Sequence, residues 1–514
     1  MSASREKKSR QSKLDELNEK RQLEAQKAAK EKRKSIVYTV IGVVCALLVA
    51  ALLIWDSGVI QSRKPAVKVN GESYTAAQVS YFYNDMLMQY YYSSMLGGVS
   101  SYDPQTDPAQ QIYDATTGKT WHDFFLDESL DSLTEISTLV AKAEEEGVTL
   151  SDEGKQQVKE NMATLKSTAR ESGFTSVTSY LKAAYGPGMT KGVYKQLMGD
   201  VMLASEMASN YTDTLTYTDE QVEEYYAEHA DELDLFTYSF AKFSGTPEAT
   251  TDEDGNKVEP TDKEKDDAKA QAYTKGEAFR AKLARGGDFM ELMEELAEDK
   301  TVTSNTRVTA SGTTVLYALD SWLKEDGRQA GDVGLVQLEA DTYVVEFHGR
   351  ERDNELPGDV RHILVAAEQD EGATEPTEAQ YDAAKAKAQQ MLDEWEAGEA
   401  TEDSFAKLAE KESADPGSAA NGGLYEDVSS STGFIEDFAN WVVDPGRQVG
   451  DTGLVKNTQS GTKGWHIMYY CGNDGVPVWK ATVENALATE DTSAWLEELI
   501  ADVQVERLDA LNNI

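Results

Sequence analysis

The sequence predicts an α+β protein in which a single N-terminal transmembrane helix precedes a helical lobe and two tandem copies of a small domain. Each small domain is predicted to be a small antiparallel sheet with flanking helices. Three observations predict this class: a long uncharged segment lies near the N-terminus, helical patterns dominate the next part of the chain, and one stretch of sequence recurs later.

Length and composition limit the function. The length of 514 residues predicts several domains. The chain has 92 acidic and 49 basic residues, and the net charge of −43 argues against nucleic acid as a partner, because the phosphate backbone would be repelled. Its only cysteines, Cys45 and Cys471, exclude a disulfide-dense scaffold and a Cys-rich zinc module.

The N-terminal segment differs in charge from the rest of the chain. Residues 1–34 contain 12 Lys and Arg against 6 Asp and Glu, and predict a basic cytoplasmic segment. Within the predicted anchor, 35–56, the 20 residues from Ile36 to Trp55 carry no charge, which is enough for a helix to cross a bilayer. Because basic residues remain on the cytoplasmic side, we expect a single-pass cell-membrane protein with an extracytoplasmic C-terminal body.

A cleaved signal peptide and a lipoprotein signal are the alternatives to an uncleaved signal anchor. The uncharged run is longer than the usual apolar region of a signal peptide, and no small-x-small cleavage site follows it. A lipoprotein signal needs a small residue before the modified cysteine, whereas Val44 precedes Cys45 in the middle of the run.

Residues 57–233 predict a mostly helical lobe, with a loop over 97–119. The segment 74–96 is rich in aromatic residues and methionine at helical spacing and predicts a buried helix face. An exposed, promiscuous binding surface is the alternative. The C-terminal segment 475–514 contains a helix around 492–503, which we expect to pack back onto this lobe.

Two later parts of the chain are copies of one domain. The segments WLKEDGRQAGDVGLV at 322–336 and WVVDPGRQVGDTGLV at 441–455 are identical at nine of fifteen positions, far above chance. Both copies run strand, helices, then two strands. We therefore assign 234–352 and 357–474 to two tandem domains.

Two histidines mark the second copy. His362 in VRHILV and His466 in GWHIMYY lie on predicted apolar strands. A single histidine of this kind is most often buried and satisfied by one hydrogen bond, but two in one small domain weaken that interpretation. The corresponding strands of the first copy, TYSFAKF and TYVVEF, contain no histidine, and Val344 is placed at the position of His466.

Five segments of the second copy together resemble the parvulin-type peptidyl-prolyl cis-trans isomerases: VRHILV, FAKLAEKESADPGSAANGG, FIEDFANW, GDTGLV and GWHIM. The resemblance is strong over 358–473 and weak over 235–350, which implies that the first copy is a degenerate parvulin-like domain. The layout over 65–514 resembles the PrsA/SurA-type extracytoplasmic foldases, which combine a helical chaperone lobe with parvulin domains and a returning C-terminal helix.

The resemblance implies that His362, Asp415 and His466 form the catalytic network. It also implies that Phe434 and Phe438 bind the substrate proline, with Phe434 at a position where the family has methionine. Rotation about an X–Pro bond breaks no covalent bond, so we expect neither a cofactor nor a metal. A metal-binding facial triad and a decayed domain with a purely structural network are the alternative interpretations of these residues.

The sequence also departs from the family at two places. Leu424-Tyr425-Glu426 follows the double glycine where Asp-Leu-Gly is usual, and Lys463 stands where a small or aromatic residue often lies. These departures bear on substrate preference more than on activity.

The predicted function is a membrane-anchored extracytoplasmic peptidyl-prolyl cis-trans isomerase and foldase. Its predicted partners are unfolded or partly folded secreted polypeptides that contain X–Pro bonds. The alternative is a non-catalytic holdase chaperone or assembly scaffold with a decayed parvulin domain. A homodimer is among the oligomeric states that the sequence leaves open.

Overall fold

The computed structural model describes residues 41, 43–49, 64–95, 101–251, 257–370, 372–459 and 461–514. The predicted basic segment 1–34 lies outside these residues, as does the predicted anchor 35–56 apart from residues 41 and 43–49. Among the described residues, no helix combines the length and the apolar character that a membrane crossing requires.

The α-helices from residue 76 onward are numbered in chain order. They are α1 (Ala76–Met95), α2 (Trp121–Glu146), α3 (Asp152–Glu171), α4 (Val177–Tyr185), α5 (Lys191–Thr212), α6 (Asp219–Leu233), α7 (Asp262–Leu283), α8 (Phe289–Glu294), α9 (Asp320–Leu323), α10 (Glu378–Glu396), α11 (Glu402–Glu412), α12 (Glu436–Val442) and α13 (Val478–Ile500). Short 3-10 helices lie at Pro108–Gln110, Tyr317–Leu319, Ala419–Asn421 and Asp509–Asn513.

The strands are numbered in the same way. They are β1 (Pro65–Val69), β2 (Glu72–Thr75), β3 (Ile112–Asp114), β4 (Lys119–Thr120), β5 (Leu235–Phe243), β6 (Thr250–Thr251), β7 (Lys257–Val258), β8 (Val302–Ser311), β9 (Val333–Leu338), β10 (Asp341–Glu351), β11 (Gly358–Ala366), β12 (Leu424–Val428), β13 (Thr452–Asn457), β14 (Gly464–Gly472) and β15 (Val505–Arg507). Helices and sheets together give the α+β class that the sequence predicts.

One compact unit comprises the described residues up to 215 together with 489–514, and these are mainly helical. Its core brings together Phe82 of α1, Leu133 of α2 and Leu197 of α5. Thr120 caps the N-terminus of α2, and Asp123 completes a reciprocal capping box that satisfies the first free N–H groups of the helix. The strands β1, β2 and β15 add a small antiparallel sheet.

Helix α1 is the segment rich in aromatic residues, and its two ends differ in burial. Val79, Phe82 and Tyr83 are buried, as a core helix face requires. Met88 is 43% exposed and Tyr92 is 58% exposed. The buried-face prediction therefore holds for the first half of the helix, and the second half leaves apolar side chains exposed.

The structure differs from the sequence prediction in the predicted loop 97–119 and at the start of the C-terminal helix. The predicted loop 97–119 contains strand β3, which pairs with β4; the Asp114 carboxylate accepts the Thr116 N–H and closes the turn between them. Strands this short carry no readable alternation. The C-terminal helix, α13, begins at Val478 rather than near 492, and its Trp495 packs with Leu139 and Met207.

The other compact unit, residues 216–488, contains two four-stranded antiparallel sheets with equivalent strand orders. The first sheet has the order β8-β5-β10-β9 and the second has the order β12-β11-β14-β13. Each sheet therefore places its first and last long strands side by side in the centre. We call the two sheets with their helices the first and the second sheet domain.

The strand registers align the two sheet domains and correct one residue assignment. Val455 lies opposite His466 in the second sheet, and the repeat-related Val336 lies opposite Tyr343 in the first. Tyr343, rather than Val344, therefore occupies the position of His466. Because successive side chains of a strand point to opposite faces, a shift of one residue places Val344 on the wrong side of the sheet.

The repeated sequence builds the same turn in both sheet domains. The Arg447 guanidinium lies 3.8 Å from the ring centre of Trp441, and its Nε donates to the Trp441 carbonyl at 3.0 Å. Arg328 makes both contacts with Trp322, at 3.6 and 3.1 Å. Gly453 leaves room for the indole, since a Cβ there would lie 2.5 Å from the Trp441 Nε1. The identical residues therefore serve the fold.

The two faces of the second sheet have different roles. On one face, Ile363 and Ile467 pack with Phe405 of α11 and with the buried side of α10. On the other face, Met468 and Tyr470 pack with α12. His362 and His466 share this second face, because they alternate with Ile363 and Ile467 along their strands.

A close approach of β12 to β11 depends on Gly423. Its φ is +74°, and an added Cβ would lie 2.2 Å from the carbonyl oxygen of His362. The Gly423 carbonyl accepts the backbone N–H of His362 at 2.8 Å. The double glycine therefore allows the chain to reach the backbone of a predicted site residue.

Gly423→Ala is expected to lower the free energy of unfolding by about 1–3 kcal/mol, because it combines a left-handed backbone with a forced backbone contact. Urea unfolding of the two variants and the wild type measures this. Gly349→Ala is the control, since its Cβ would meet no atom within 4 Å. It should change stability by less than about 0.5 kcal/mol. Equal unfolding midpoints for Gly423→Ala and wild type would contradict the close approach.

Candidate active site

His362 on β11 is the centre of a buried hydrogen-bond network. Its Nδ1 lies 3.0 Å from the Nδ1 of His466 on β14. Its Nε2 lies 3.1 Å from Oδ2 of Asp415 and 2.9 Å from Oγ of Ser418. The register produces this contact: Leu364 lies opposite His466, so His362 is the diagonal neighbour of His466 on the same face. The two histidines are only 2% and 8% exposed.

Asp415 lies in the loop after α11, and hydrogen bonds fix this loop to β11. The backbone N–H of Leu364 donates to the Ser413 hydroxyl at 3.1 Å, and the Leu364 carbonyl accepts the Ala414 N–H at 2.9 Å. The Ser418 N–H and hydroxyl then donate to Oδ2 of Asp415, at 3.1 and 2.6 Å. The Asp-Pro-Gly-Ser turn therefore presents the carboxylate to His362.

The surroundings set the charge of each group. Hydrogen bonds, first from His362 and then from Ser418 and Tyr425, hold the pKa of Asp415 far below its usual range. Burial, followed by repulsion from His362, lowers the pKa of His466 to about 3. Burial, assisted by the neighbouring Asp415, raises the pKa of Tyr425. At neutral pH, Asp415 is therefore a carboxylate, His466 is neutral and the Tyr425 hydroxyl is protonated.

These charges set the direction of the hydrogen bonds when both histidines are neutral. Because the Asp415 carboxylate can only accept, the Nε2–H of His362 donates to it and to the Ser418 hydroxyl. The Nδ1 of His362 then accepts the Nδ1–H of His466. The Nε2 of His466 keeps its lone pair, and within the described part of the chain this atom has no hydrogen-bond partner.

A pocket of about 350 Å³, lined by both aromatic and polar side chains, opens beside the histidines. The rings of Phe434 and Phe438 stack, with centroids 5.1 Å apart and an interplanar angle of 16°. Phe438, on α12, also contacts both imidazoles edge-on, at 5.4 Å from His362 and 5.2 Å from His466. The polar network therefore forms one wall of an aromatic pocket.

The structure brings all five residues predicted for the site into this one place, His362, Asp415, Phe434, Phe438 and His466. Lys463, which the sequence marks as a departure from the family, does not line the pocket, and its ammonium group pairs with Glu375.

Ser418 and Tyr425 are the members of the network that sequence reasoning does not assign. Ser418 follows Asp415 by three residues within one turn motif, which is a usable signal for a side-chain contact. Tyr425 lies opposite Val360 in the sheet. Its place on the histidine face becomes visible only once that register is known.

The first sheet domain carries different chemistry at the corresponding positions. Lys242 lies opposite Tyr343 as Leu364 lies opposite His466, so Phe240 takes the position of His362. Val315 and Leu319 align with Phe434 and Phe438 at the repeat offset and lie in the apolar core with Tyr343. These side chains replace the histidine pair and the large aromatic rings.

The remaining polar residues of the first sheet domain make other contacts. When Phe289 is aligned with Phe405, Asp299 falls at the position of Asp415. It pairs instead with Lys275 at 2.6 Å, and this contact chiefly lowers its pKa to about 2. His348 lies on β10 beyond the segment TYVVEF, at a bulge, and its Nε2 lies 2.7 Å from the Ser239 hydroxyl. Asp299 and His348 of the first copy thus have separate partners and do not form a network like that of Asp415 and His362.

Comparison with known families identifies the second sheet domain. Residues 362–471 match the rotamase family, described as the PPIC-type PPIASE domain. Residues 362–471 are a PPIC-type domain. The resemblance that the sequence motifs indicate is confirmed for this part of the chain, and the PPIC-type domain contains His362, Asp415, both phenylalanines of the pocket and His466.

Relatives extend over more of the chain at low identity. The foldase protein PrsA of Clostridium perfringens (strain SM101 / Type A) is 24% identical over 204 residues, which cover 40% of this chain and 54% of that protein. The chain thus matches about half the length of this curated relative. The crystal structure of PrsA from Bacillus subtilis has 11% identity and a TM-score of 0.30, and the match covers 77% of this chain and 93% of that one. For PrsA from Streptococcus pneumoniae str. Canada MDR_19A, the values are 13% identity, a TM-score of 0.24, and coverage of 78% and 97%.

Acid is expected to destabilise the PPIC-type domain. As the pH falls below about 6.5, unfolded His466 binds a proton, whereas folded His466, with its pKa near 3, does not. The unfolded state then binds more protons, so stability is complete above pH ~6.5 and declines toward pH ~3. Asp415 acts in the same direction below pH ~4, because its folded pKa is depressed.

Urea midpoints between pH 7 and pH 4 measure this effect. His466→Asn should flatten the decline, by at most about 1.4 kcal/mol per pH unit for one proton. His229→Asn, at a more exposed histidine of the same unit, is the control. Identical slopes for wild type and His466→Asn would contradict the argument.

Proposed function

We propose that this chain is a membrane-anchored extracytoplasmic peptidyl-prolyl cis-trans isomerase that acts as a foldase for secreted polypeptides. One observation carries the proposal: inside a PPIC-type domain, the buried network of His466, His362 and Asp415 forms the wall of a pocket lined by Phe434 and Phe438. The proposed substrates are unfolded or partly folded chains with X–Pro bonds.

The chemistry requires a pocket and an oriented wall rather than a nucleophile. The peptide bond resists rotation with a barrier of about 18–20 kcal/mol, because the planar amide is stabilised by resonance. Water solvates the polar planar amide better than the twisted one. The stacked Phe434 and Phe438 would hold the proline ring in apolar surroundings and so favour the twisted form.

The network would keep His466 neutral and fix the orientation of both imidazole rings. Burial disfavours a charge on His466, and its hydrogen bond to His362 fixes the ring orientation. His362 is in turn oriented by Asp415. A neutral, oriented imidazole can face a rotating carbonyl without reorganising, which is the general basis of electrostatic preorganisation. Asp415 forms no covalent bond in this scheme.

The first sheet domain, 234–352, is proposed to be a degenerate, non-catalytic parvulin-like domain. Its strand order equals that of the PPIC-type domain, but Phe240 and Tyr343 stand in place of the histidine pair. Asp299 is held by Lys275. A domain with the fold and without the network suits a scaffold role.

Asp415→Asn is expected to lower kcat/KM for a proline-containing peptide by about tenfold or more, because a charge-assisted hydrogen bond to His362 becomes a neutral one. A protease-free isomerisation assay measures this. Asp299→Asn is the matched control, since it makes the same change at the repeat-related position and should leave activity unchanged. The catalytic assignment fails if the wild type does not accelerate isomerisation, or if the two variants are equally active.

A non-catalytic holdase is the second candidate, and the exposed Met88 and Tyr92 of α1 favour it. The same variants separate the two functions when the aggregation of an unfolded client is followed by light scattering. If Asp415→Asn protects the client as well as wild type does, while Met88→Ser with Tyr92→Ser does not, client binding is independent of isomerisation.

Membrane anchoring by residues 35–56 is part of the proposal and is supported by the uncharged run from Ile36 to Trp55 after a basic segment. The full chain should sediment with membranes and resist extraction by salt and carbonate. Added protease should digest the C-terminal body on intact cells stripped of their wall. Release by salt, or protection of the body until the cells are lysed, would contradict the proposed topology.

A further inference from the structure

Tyr425 of β12 contacts both parts of the site. Its hydroxyl donates to Oδ2 of Asp415 at 3.0 Å. Its ring stacks on His362, with centroids 5.3 Å apart at 20°, and meets the ring of Phe434 edge-on at 4.9 Å. One side chain therefore joins the polar network to the aromatic pocket.

The position of Tyr425 is fixed by the sheet rather than by a free loop. Tyr425 lies opposite Val360 in the register of β12 and β11. The preceding Gly422 and Gly423 both have positive φ, and the carbonyl of Gly423 accepts the His362 N–H. The strand that carries Tyr425 is thus anchored to the backbone of the residue that the tyrosine stacks on.

The Tyr425 hydroxyl competes with His362 for the same oxygen. Oδ2 of Asp415 receives the Nε2–H of His362, the N–H and hydroxyl of Ser418, and the hydroxyl of Tyr425. All four donors interact with the same negative charge, so each additional donor weakens the interaction of that charge with the others. Without the tyrosine donor, the carboxylate would favour a proton on His362 more strongly.

We propose that Tyr425 is a positioning residue for the isomerase reaction. Its hydroxyl controls how strongly the Asp415 carboxylate interacts with His362, and its ring holds the ring of Phe434 in position. This inference rests on the proposed function. It assigns two separable tasks to one side chain, and it makes Tyr425 a determinant of which proline segments the pocket accepts.

Two substitutions in the full chain separate the tasks. Tyr425→Phe removes the hydroxyl and keeps the ring. A proton is then held more firmly on His362 and disturbs the neutral histidine pair, so kcat should fall by about three- to tenfold while KM stays within about twofold. Tyr425→Leu also removes the ring, so KM should rise as well, and the preference among peptides with different residues before proline should change. Tyr317→Phe, at a tyrosine that is 83% exposed in the first sheet domain, is the control.

A readout without substrate tests the link itself. The ring ¹⁵N signals of labelled histidine, assigned with His362→Ala and His466→Ala, report the pH at which the histidine pair takes up a proton. This pH should move upward by about half a unit or more in Tyr425→Phe, because the carboxylate charge is no longer shared with the hydroxyl. It should not move in Tyr317→Phe.

The outcomes are distinguishable. An unchanged titration in Tyr425→Phe overturns the inference, whatever the activity. A shifted titration in a chain whose wild type accelerates no isomerisation supports the link and overturns the proposed function instead. If Tyr425→Phe does not fold, as judged by its thermal melt, Tyr425→Leu carries the same titration test, and an unchanged titration there overturns the inference.

Discussion

The hydrogen bond between the Nε2 of His362 and the carboxylate of Asp415 is the interaction on which the rest of the site depends. Both nitrogens of the buried His362 ring need partners, and the partly buried Asp415 carboxylate needs donors. Here one bond serves both needs and sets the orientation of the next histidine. The loop that carries Asp415 is tied to β11, and Gly423 lets β12 reach the same strand, so the backbone is arranged around this contact.

The sequence could name the residues of the site but not all of its contacts. The motifs around the two strand histidines and Asp-Pro-Gly-Ser are local, and their resemblance to the parvulin family implied that His362, Asp415 and His466 lie together. Tyr425 belongs to a different strand from either histidine. Its contact with Asp415 follows from the register between β12 and β11, which no local pattern specifies.

The fold shows the same limit. Helical periodicity predicted the helices of the first unit, because this signal lies within a few neighbouring residues. The pairing of β15 with β1 joins segments more than four hundred residues apart, so no local sequence pattern could predict it. The prediction that Val344 takes the position of His466 was wrong for a related reason. The two repeat sequences can be aligned one residue apart at this strand, and only the strand pairing shows which side chains share a face of the sheet.

The repeated turn of Trp441, Arg447 and Gly453 has a consequence for how such a duplicated chain can change over time. Its residues are shared by the two copies and hold the sheet edge in place, yet none of them contributes a side chain to the histidine network. Shape and chemistry are therefore encoded by separate sets of residues. After a duplication, one copy can lose its reactive groups without losing its ability to fold, and a search that relies on the shared turn would score the two copies as alike.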